Sequence, residues 1–257
     1  MAAHPDDEAL GAASLLFGTT EVRVVHATDG APRDLADARA NGFATREAYA
    51  AARDAEARAA LASVGVREGH RYRLGIVDQE ASLRLAEIAR ALRALFERLE
   101  PALIVTHAYE GGHPDHDAVA FGVHAAVALL RDPVRFPAVS EMTSYHRSQD
   151  GRFASGVFPA GGGAGEIVRR LDASEQARKR DLLARYVTRR NTLRPFRRDE
   201  ERFRPAPHYD FTQAPHPGTL WYESLPWGMT GERFRDLVRY ALLELGLRLA
   251  PVPSGGI

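Results

Sequence analysis

Short apolar segments and longer amphipathic segments alternate along the first 145 residues of the chain. Four short segments rich in apolar and β-branched residues predict strands, at 21–27, 72–77, 103–106 and 139–145. Longer segments whose apolar residues recur every three or four positions predict helices, at 47–64, 82–99 and 114–130. Strands that alternate with helices of this length indicate an α/β fold with a mainly parallel sheet.

The regular pattern weakens in the second half of the chain. Residues 150–170, which include Gly161-Gly162-Gly163, predict a surface loop or a flap. Residues 194–228 are rich in proline and aromatic residues with little periodicity, which predicts an ordered excursion that packs on the domain. Two further helices are predicted at 173–186 and 231–247.

Size and charge narrow the classes of protein to consider. A chain of 257 residues predicts a single domain, 1–257, in which residues 146–228 supply loops on the substrate side. Lysine plus arginine and aspartate plus glutamate number 34 each, and a net charge of zero argues against nucleic acid or an anionic membrane as the main partner. No apolar run reaches the roughly 18 residues that span a bilayer, and the N-terminus lacks the pattern of a signal peptide. These features predict a cytoplasmic protein.

The residue types present restrict the chemistry. The chain has no cysteine, which excludes a thiol nucleophile, an iron–sulfur cluster and cysteine-ligated zinc. It has one lysine, Lys179, which leaves a single candidate for Schiff-base catalysis. Any metal chemistry must therefore use carboxylates and the ten histidines.

Two clusters combine histidine with carboxylates, His4-Pro5-Asp6-Asp7-Glu8 and His113-Pro114-Asp115-His116-Asp117. Each lies where a strand is expected to end and a helix to begin, so the two can meet at one edge of the sheet. Two histidines and one aspartate suit Zn²⁺ or Fe²⁺ as three protein ligands that leave a position for water. Either cluster alone favours a turn with solvated charges, but their joint occurrence, each after a strand and before a helix, favours a metal site.

The first cluster raises a question about the sheet, because only three residues precede His4. Either the strand expected before this cluster is truncated, or this edge of the sheet is contributed in an unusual way. A missing central strand would leave buried backbone groups of its neighbours without hydrogen bonds, which is costly.

The motifs resemble those of the LmbE-like, or PIG-L, family, which includes the GlcNAc-phosphatidylinositol de-N-acetylase. The matching segments span about the first 115 residues: Ala-His-Pro-Asp-Asp-Glu at 3–8, Thr-Asp-Gly at 28–30, Arg53-x-x-Glu56, and Gly-His-Pro-Asp-His at 112–116. The resemblance implies a Rossmann-like three-layer sandwich and a metal-dependent activity on N-acyl amides.

The resemblance also implies a role for each matching residue. His4, Asp7 and His116 are the implied metal ligands, and Asp6 is the implied general base. His113 would stabilise the oxyanion or protonate the leaving amine, and Asp115 would orient it. The implied or expected substrate contacts are Arg53, Glu56, Asp29 and His107. Some family members carry a tyrosine where this chain has Gly111, and Tyr109 is the nearby residue that could replace it.

Together these features predict a zinc-dependent hydrolase that removes an N-acetyl or other N-acyl group from an amino-sugar-containing small molecule or glycoconjugate. Fe²⁺ or another divalent transition metal is the alternative to Zn²⁺, and a homo-oligomer is compatible with the sequence. The alternative function is a non-catalytic or degenerate family member that binds a metal or a sugar. No Gly-x-Gly-x-x-Gly motif follows a strand, so a dinucleotide is not expected.

Overall fold

The computed structural model describes residues 1–18, 21–130, 137–159, 165–196 and 199–247. The strands in these ranges are β1 (Val24–Thr28), β2 (Arg71–Ile76), β3 (Leu103–His107), β4 (Ala138–Met142), β5 (Tyr145–Arg147), β6 (Phe153–Ser155), β7 (Ile167–Arg170) and β8 (Glu200–Pro205). The α-helices are α1 (Asp7–Gly11), α2 (Ala13–Gly18), α3 (Ala36–Ala40), α4 (Arg46–Ser63), α5 (Leu85–Leu99), α6 (Pro114–Ala128), α7 (Ala173–Leu183), α8 (Arg190–Leu193) and α9 (Gly231–Leu245). Short 3-10 helices cover Glu68–His70, Ala81–Arg84, Val187–Arg189 and Trp221–Ser224.

The sheet is parallel around its centre. β1 pairs in parallel with β2, and β3 pairs in parallel with β4, which continues into antiparallel β8 and β7. The first three residues lie between the two halves. Ala2 exchanges backbone hydrogen bonds with Val25 and Ala27 of β1, at 2.9 and 3.0 Å, and the Met1 nitrogen donates to the Val105 oxygen of β3 at 2.7 Å. Residues 1–3 thus lie where a central strand is expected, and their hydrogen bonds satisfy backbone groups on both neighbours.

Helices cover both faces of the sheet, because side chains of successive strand residues point to opposite faces. Val25 packs in a core formed largely by α5, α6 and α9. Its neighbour Val24 packs in a second core formed by α1, α2, α4 and α7. The predicted α/β, three-layer, Rossmann-like architecture is confirmed. The single-domain assignment stays a prediction.

The second half of the chain contains more strand than its sequence predicts. The expected loop at 150–170 holds β6, which forms a hairpin with β5, and β7, which pairs with β8; its glycine run at 161–163 lies outside the described residues. The expected excursion at 194–228 holds β8. The charged sequence of β8 does not resemble a strand. Its Arg204 is nevertheless buried, because Arg204 Nε lies 2.9 Å from Oε2 of Glu141 on β4. None of the helices in the described ranges is long and apolar enough to cross a bilayer.

Candidate active site

The first cluster forms the turn between residues 1–3 and α1. Asp6 has a φ of 129°, a backbone conformation that is unfavourable for any residue other than glycine. The turn is held from outside by Arg53 of α4, which is completely buried and donates to the Pro5 carbonyl oxygen at 2.6 Å. The Asp7 carboxylate accepts the His4 backbone N–H at 2.7 Å. The strained turn therefore directs Asp6 and Asp7 away from each other.

The second cluster forms the start of α6. His113 is the N-cap residue, and its Nδ1 accepts the Asp115 backbone N–H at 3.1 Å, while Pro114 occupies the first turn. Gly112 is required just before it: a Cβ at this position would lie 1.8 Å from the Tyr145 carbonyl oxygen. The close passage of β5 over this turn fixes where His113 and His116 point.

The three predicted metal ligands converge on one point. His4 Nδ1 lies 3.2 Å from Asp7 Oδ2 and 3.3 Å from His116 Nε2, and His116 Nε2 lies 3.4 Å from Asp7 Oδ1. Zinc–nitrogen bonds of about 2.0–2.1 Å in a tetrahedral site place the ligands roughly 3.3–3.4 Å apart. The donor set and its spacing therefore fit a divalent transition metal.

His4 is oriented for this position by two carboxylates on its other ring nitrogen. His4 Nε2 lies 3.1 Å from Asp78 Oδ1 and 3.3 Å from Asp115 Oδ2. A proton on Nε2 is thus shared with carboxylates, which leaves Nδ1 with the lone pair that a metal requires. Asp78 follows β2 and belongs to no recognised motif, so sequence reasoning missed it. A single aspartate after a strand carries no signal of its own.

The Asp115 carboxylate does not contact the His113 side chain that it was expected to orient. It accepts the Gln79 and Ala81 backbone N–H groups at 2.6 and 3.0 Å, in addition to its contact with His4. Asp115 thereby joins α6 to the loop after β2 and positions His4. Asp115 contacts His113 through its backbone N–H instead, because the N-cap geometry of His113 turns its Nδ1 toward backbone rather than toward a carboxylate. The role of Asp115 in orienting His113 stays a prediction.

A second group of potential ligands shares His4 with the first. Nitrogen and oxygen atoms of His4, Asp78, His113 and Asp115 lie within 4.8 Å of one another. The distance from His113 Nε2 to Asp78 Oδ1 is 4.0 Å, which is wider than a tetrahedral site of a small ion needs. We therefore favour the group of His4, Asp7 and His116.

Burial dominates the electrostatics of the site. Burial raises the pKa of Asp6, and the nearby guanidinium groups of Arg53 and Arg189 oppose it. Burial would also raise the pKa of Asp7, but the surrounding histidines outweigh it and hold that pKa well below its ordinary value. Burial, followed by the charges of His4 and His116, holds the pKa of His113 well below its ordinary value, which favours the neutral ring.

Two of the expected substrate contacts, His107 and Glu56, form hydrogen bonds and ring contacts with other residues of the protein around the site. His107 has no exposed surface: its Nε2 accepts the Ala3 N–H at 3.0 Å and its ring stacks on His116 with 4.0 Å between centroids, so it cannot touch substrate in this conformation. Burial and the nearby His116 lower the pKa of His107 to about 3, so the ring is neutral. Glu56 accepts hydrogen bonds from the Thr188 backbone and hydroxyl.

Asp29 and Tyr109 also lie outside the pocket. Asp29 forms an ion pair with Arg46 and accepts the Ala31 N–H at 3.0 Å, which stabilises the turn after β1. The Tyr109 hydroxyl donates to the Gln213 carbonyl oxygen at 2.8 Å, and its ring packs in the core of α6 and α9. The prediction that Tyr109 replaces the family tyrosine is therefore wrong, because the chain after β3 directs the Tyr109 side chain into the core.

The converging ligands open into a cavity of about 290 Å³. Its lining combines polar side chains, including Asp6, Asp37, Asp78 and Arg189, with aromatic side chains. Arg189 comes from the second half of the chain, and it donates to Asp6 Oδ2 at 3.2 Å and to Asp37 Oδ2 at 2.9 Å. Sequence reasoning missed Arg189, because an arginine in an arginine-rich stretch gives no sign of a buried partner.

The first half of the chain matches a known family. The family model described as GlcNAc-PI de-N-acetylase, or PIG-L, matches residues 1–127. Residues 1–127 are therefore a PIG-L family domain, which confirms the resemblance that the motifs predict. A comparison with curated protein sequences gives no match.

Solved structures extend the likeness to most of the chain. Dbv21, a pseudoaglycone deacetylase, is 19% identical with a TM-score of 0.61, over 79% of this chain and 94% of that one. The zinc-inhibited form of teicoplanin deacetylase Orf2 is 17% identical with a TM-score of 0.58, over 79% and 95%. An N,N'-diacetylchitobiose deacetylase from Pyrococcus horikoshii is 16% identical with a TM-score of 0.56, over 80% and 82%. At identities this low, the structural likeness shows a shared fold and nothing further.

Proposed function

We propose that the chain is a metal-dependent N-deacetylase that acts on an amino-sugar-containing small molecule or glycoconjugate, with zinc as the first metal to test. The observation that carries the proposal is the convergence of His4, Asp7 and His116 beside Asp6, a carboxylate that is not part of the ligand set. The family description and the names of the similar structures support the reaction type. The cytoplasmic location and a homo-oligomeric state stay predictions.

A bound divalent ion would polarise the acyl carbonyl group and lower the pKa of a water molecule toward about 7. The residues around it then supply proton transfer. Asp6 is placed to take a proton from the attacking water, since its carboxylate faces the cavity between two guanidinium groups. Arg189 Nε lies 3.2 Å and Arg53 3.6 Å from Asp6 Oδ2, and these charges favour the ionised carboxylate that a base requires.

His113 is placed to donate a hydrogen bond to the reacting group. Its Nδ1 accepts the Asp115 N–H, so in the neutral ring the proton resides on Nε2. His113 lines the cavity, and its Nε2–H can stabilise the developing oxyanion. The proton that Asp6 takes from water then passes to the amine that leaves. The products are a free amine and a carboxylate.

The division of roles is tested with two variants and elemental analysis. Wild-type protein loaded with Zn²⁺ should hold about one ion per chain and release amine from an N-acetyl amino sugar. His116→Ala should lose the ion, whereas Asp6→Asn should retain it and lose activity by roughly 10²–10⁴-fold, the usual contribution of a general base. His124→Gln, on the same helix, and Asp181→Asn, on the surface, are the matched controls.

Two results count against this proposal. Full turnover by Asp6→Asn would show that another group is the base. Retention of the ion but no hydrolysis of any N-acyl amino sugar by the loaded wild-type protein would favour the non-catalytic alternative instead.

A further inference from the structure

Five aromatic side chains line the cavity together with Asp6 and Arg189. We call this set the aromatic wall: Tyr145, Phe153, Phe196, Trp221 and Trp227. Each is partly exposed, and all lie in residues 145–227, beyond the segment that matches the family. The groups proposed for catalysis come from the first half of the chain, so the wall is a feature that the second half adds.

Four of the five rings form a continuous patch. The Phe153 ring centroid lies 5.4 Å from that of Tyr145, 5.6 Å from that of Phe196 and 5.1 Å from that of Trp221. The Arg147 guanidinium group lies over the Trp221 ring, 5.3 Å from its centroid, and this cation–π contact restrains the ring. The patch is therefore an ordered surface rather than a set of independent side chains.

The aromatic wall begins at the metal-site residues. The Tyr145 ring centroid lies 5.5 Å from that of His116, and the Trp227 ring centroid lies 4.4 Å from that of His113. The Tyr145 backbone N–H is fixed by the buried carboxylate of Glu110 at 3.0 Å. A substrate whose amide reaches these histidines must therefore have part of its structure against the wall.

An acetyl group is too small to cover this surface. Its apolar part is one methyl group, whereas a single aromatic side chain offers about 150–250 Å² of surface. Aromatic surface in contact with water is unfavourable, and a substrate group that covers it contributes about 25 cal/mol per Å². The polar residues that line the cavity supply carboxylates and a guanidinium group, which can form hydrogen bonds with the hydroxyl groups of a sugar.

We propose that the aromatic wall binds an apolar group of the substrate, an alkyl or aryl substituent adjacent to the amide that is cleaved. This inference rests on the proposed function and narrows its substrate class to amphipathic N-acyl amino sugars. The apolar group belongs to either the acyl chain or the aglycone, and the same chemistry recognises both.

Two substrate series distinguish these sources. The first lengthens the acyl group of glucosamine from acetyl to butanoyl to hexanoyl; the second keeps N-acetylglucosamine and changes its glycoside from methyl to butyl, hexyl and phenyl. In the series that reaches the wall, kcat/KM of the zinc-loaded full chain should rise by up to about fourfold per buried methylene. A gain in the first series places the apolar group on the acyl side, and a gain in the second places it on the amine side.

Variants connect the gain to the wall. Phe153→Ala and Trp221→Ala should each reduce the dependence of kcat/KM on the length of the apolar group. Phe153→Leu and Trp221→Phe keep apolar surface and should preserve most of the gain if the alanine variants fail to fold. Tyr240→Ala, which removes an exposed aromatic side chain on α9 far from this cavity, is the matched control.

Fluorescence gives a readout that does not need hydrolysis. The chain has two tryptophans, Trp221 and Trp227, and both belong to the wall. If the apolar group lies on the amine side, titration with hexyl glucosaminide, an amine that cannot be deacylated, should change tryptophan emission. Hexyl glucosaminide should then bind at least tenfold more tightly than methyl glucosaminide. Such binding, by a protein that hydrolyses none of the N-acyl amino sugars, would support the role of the aromatic wall and contradict the proposed function.

Three results would overturn the inference. In the first, neither series gains from added methylenes. In the second, the glycoside series gains although the two glucosaminides bind alike. In the third, the gain persists in Phe153→Ala and Trp221→Ala as it does in Tyr240→Ala. If N-acetylglucosamine is nevertheless hydrolysed, the proposed function holds while the aromatic wall has no part in substrate choice.

Discussion

Glu110 shows how a single buried group supports the site without lining it. Its side chain has no exposed surface, and its Oε1 accepts the backbone N–H groups of Ser144 and Tyr145 at 2.8 and 3.0 Å. These bonds fix the start of β5 and therefore the first ring of the aromatic wall. Burial outweighs the two hydrogen bonds and raises the pKa of Glu110 to about 8.

This raised pKa predicts a pH-dependent contribution to stability. The folded chain binds the Glu110 proton more tightly than the unfolded chain, whose ordinary pKa is 4.5, so the contribution is complete below that value and is lost as pH rises toward 8. Glu110→Gln removes the titration. Its free energy of unfolding relative to wild type should therefore increase between pH 5 and 8, by up to about 1.4 kcal/mol per pH unit.

Urea denaturation at several pH values, with a chelator present, measures this difference. Glu232→Gln, at an exposed position, should give a difference that does not vary with pH. If the Glu110→Gln difference is also constant, the carboxyl group is ionised throughout this range and burial does not dominate.

Residues within a local motif were predictable and residues brought in by tertiary contacts were not. His4, Asp7 and His116 stand in motifs whose spacing alone suggests a metal. Asp78 and Arg189 acquire their positions only when β2 and the 3-10 helix at Val187–Arg189 reach the site. Buried supporting residues such as His107 look the same in the sequence as residues that contact substrate.

At the scale of elements, the crossing of β5 over the start of α6 determines the site. Gly112 permits the contact, since a Cβ there would lie 1.8 Å from the Tyr145 carbonyl oxygen. A backbone atom cannot move aside as the end of a long side chain can. A substitution at this position must therefore separate β5 from the turn that carries His113.

We expect Gly112→Ala to lower the free energy of unfolding by about 1–3 kcal/mol, the usual cost of overpacking. Activity should fall further than stability at temperatures where the variant is folded, because His113 and Tyr145 move apart. Urea denaturation and kcat/KM measure the two effects. Gly69→Ala is the matched control, since nothing lies within 4 Å of its added Cβ; equal behaviour of the two variants would contradict the contact.

Helices were easier to predict than strands at this scale. The apolar stripe of α5 is evident in the sequence because it repeats every three to four residues, and the whole stripe faces one core. β7 and β8 carry charged residues on an antiparallel edge, and they resemble solvated segments until their partners are known. Arg204 in particular becomes a buried residue only through Glu141 on another strand.

On the scale of the whole molecule, a buried ion pair within the second half of the chain attaches that half to the first. Lys179 of α7 lies 2.8 Å from Glu201 of β8, and neither side chain is exposed. Lys179 also donates to the Leu10 carbonyl oxygen at the end of α1, at 2.6 Å, and Glu201 accepts a hydrogen bond from the Ser14 hydroxyl at 2.6 Å. The helices that follow the first metal motif are thereby attached to the second half.

Lys179→Met should lower the free energy of unfolding by about 3–5 kcal/mol, because Glu201 becomes a buried charge without its cation. The double variant Lys179→Met with Glu201→Gln should recover part of this loss. Denaturant unfolding of the three proteins provides the test. A single variant as stable as wild type would mean that water reaches Glu201 and that the pair does not join the two halves.

The same lysine makes local opening of α7 measurable by proteolysis. A protease that cleaves only after lysine has one target in the entire sequence, the bond between Lys179 and Arg180. Since that bond lies inside α7 and the lysine is buried, cleavage measures how often α7 opens from its neighbours. One cut produces fragments 1–179 and 180–257, which divides the aromatic wall: Tyr145 and Phe153 remain with the metal motifs, and the other three rings leave with the second fragment.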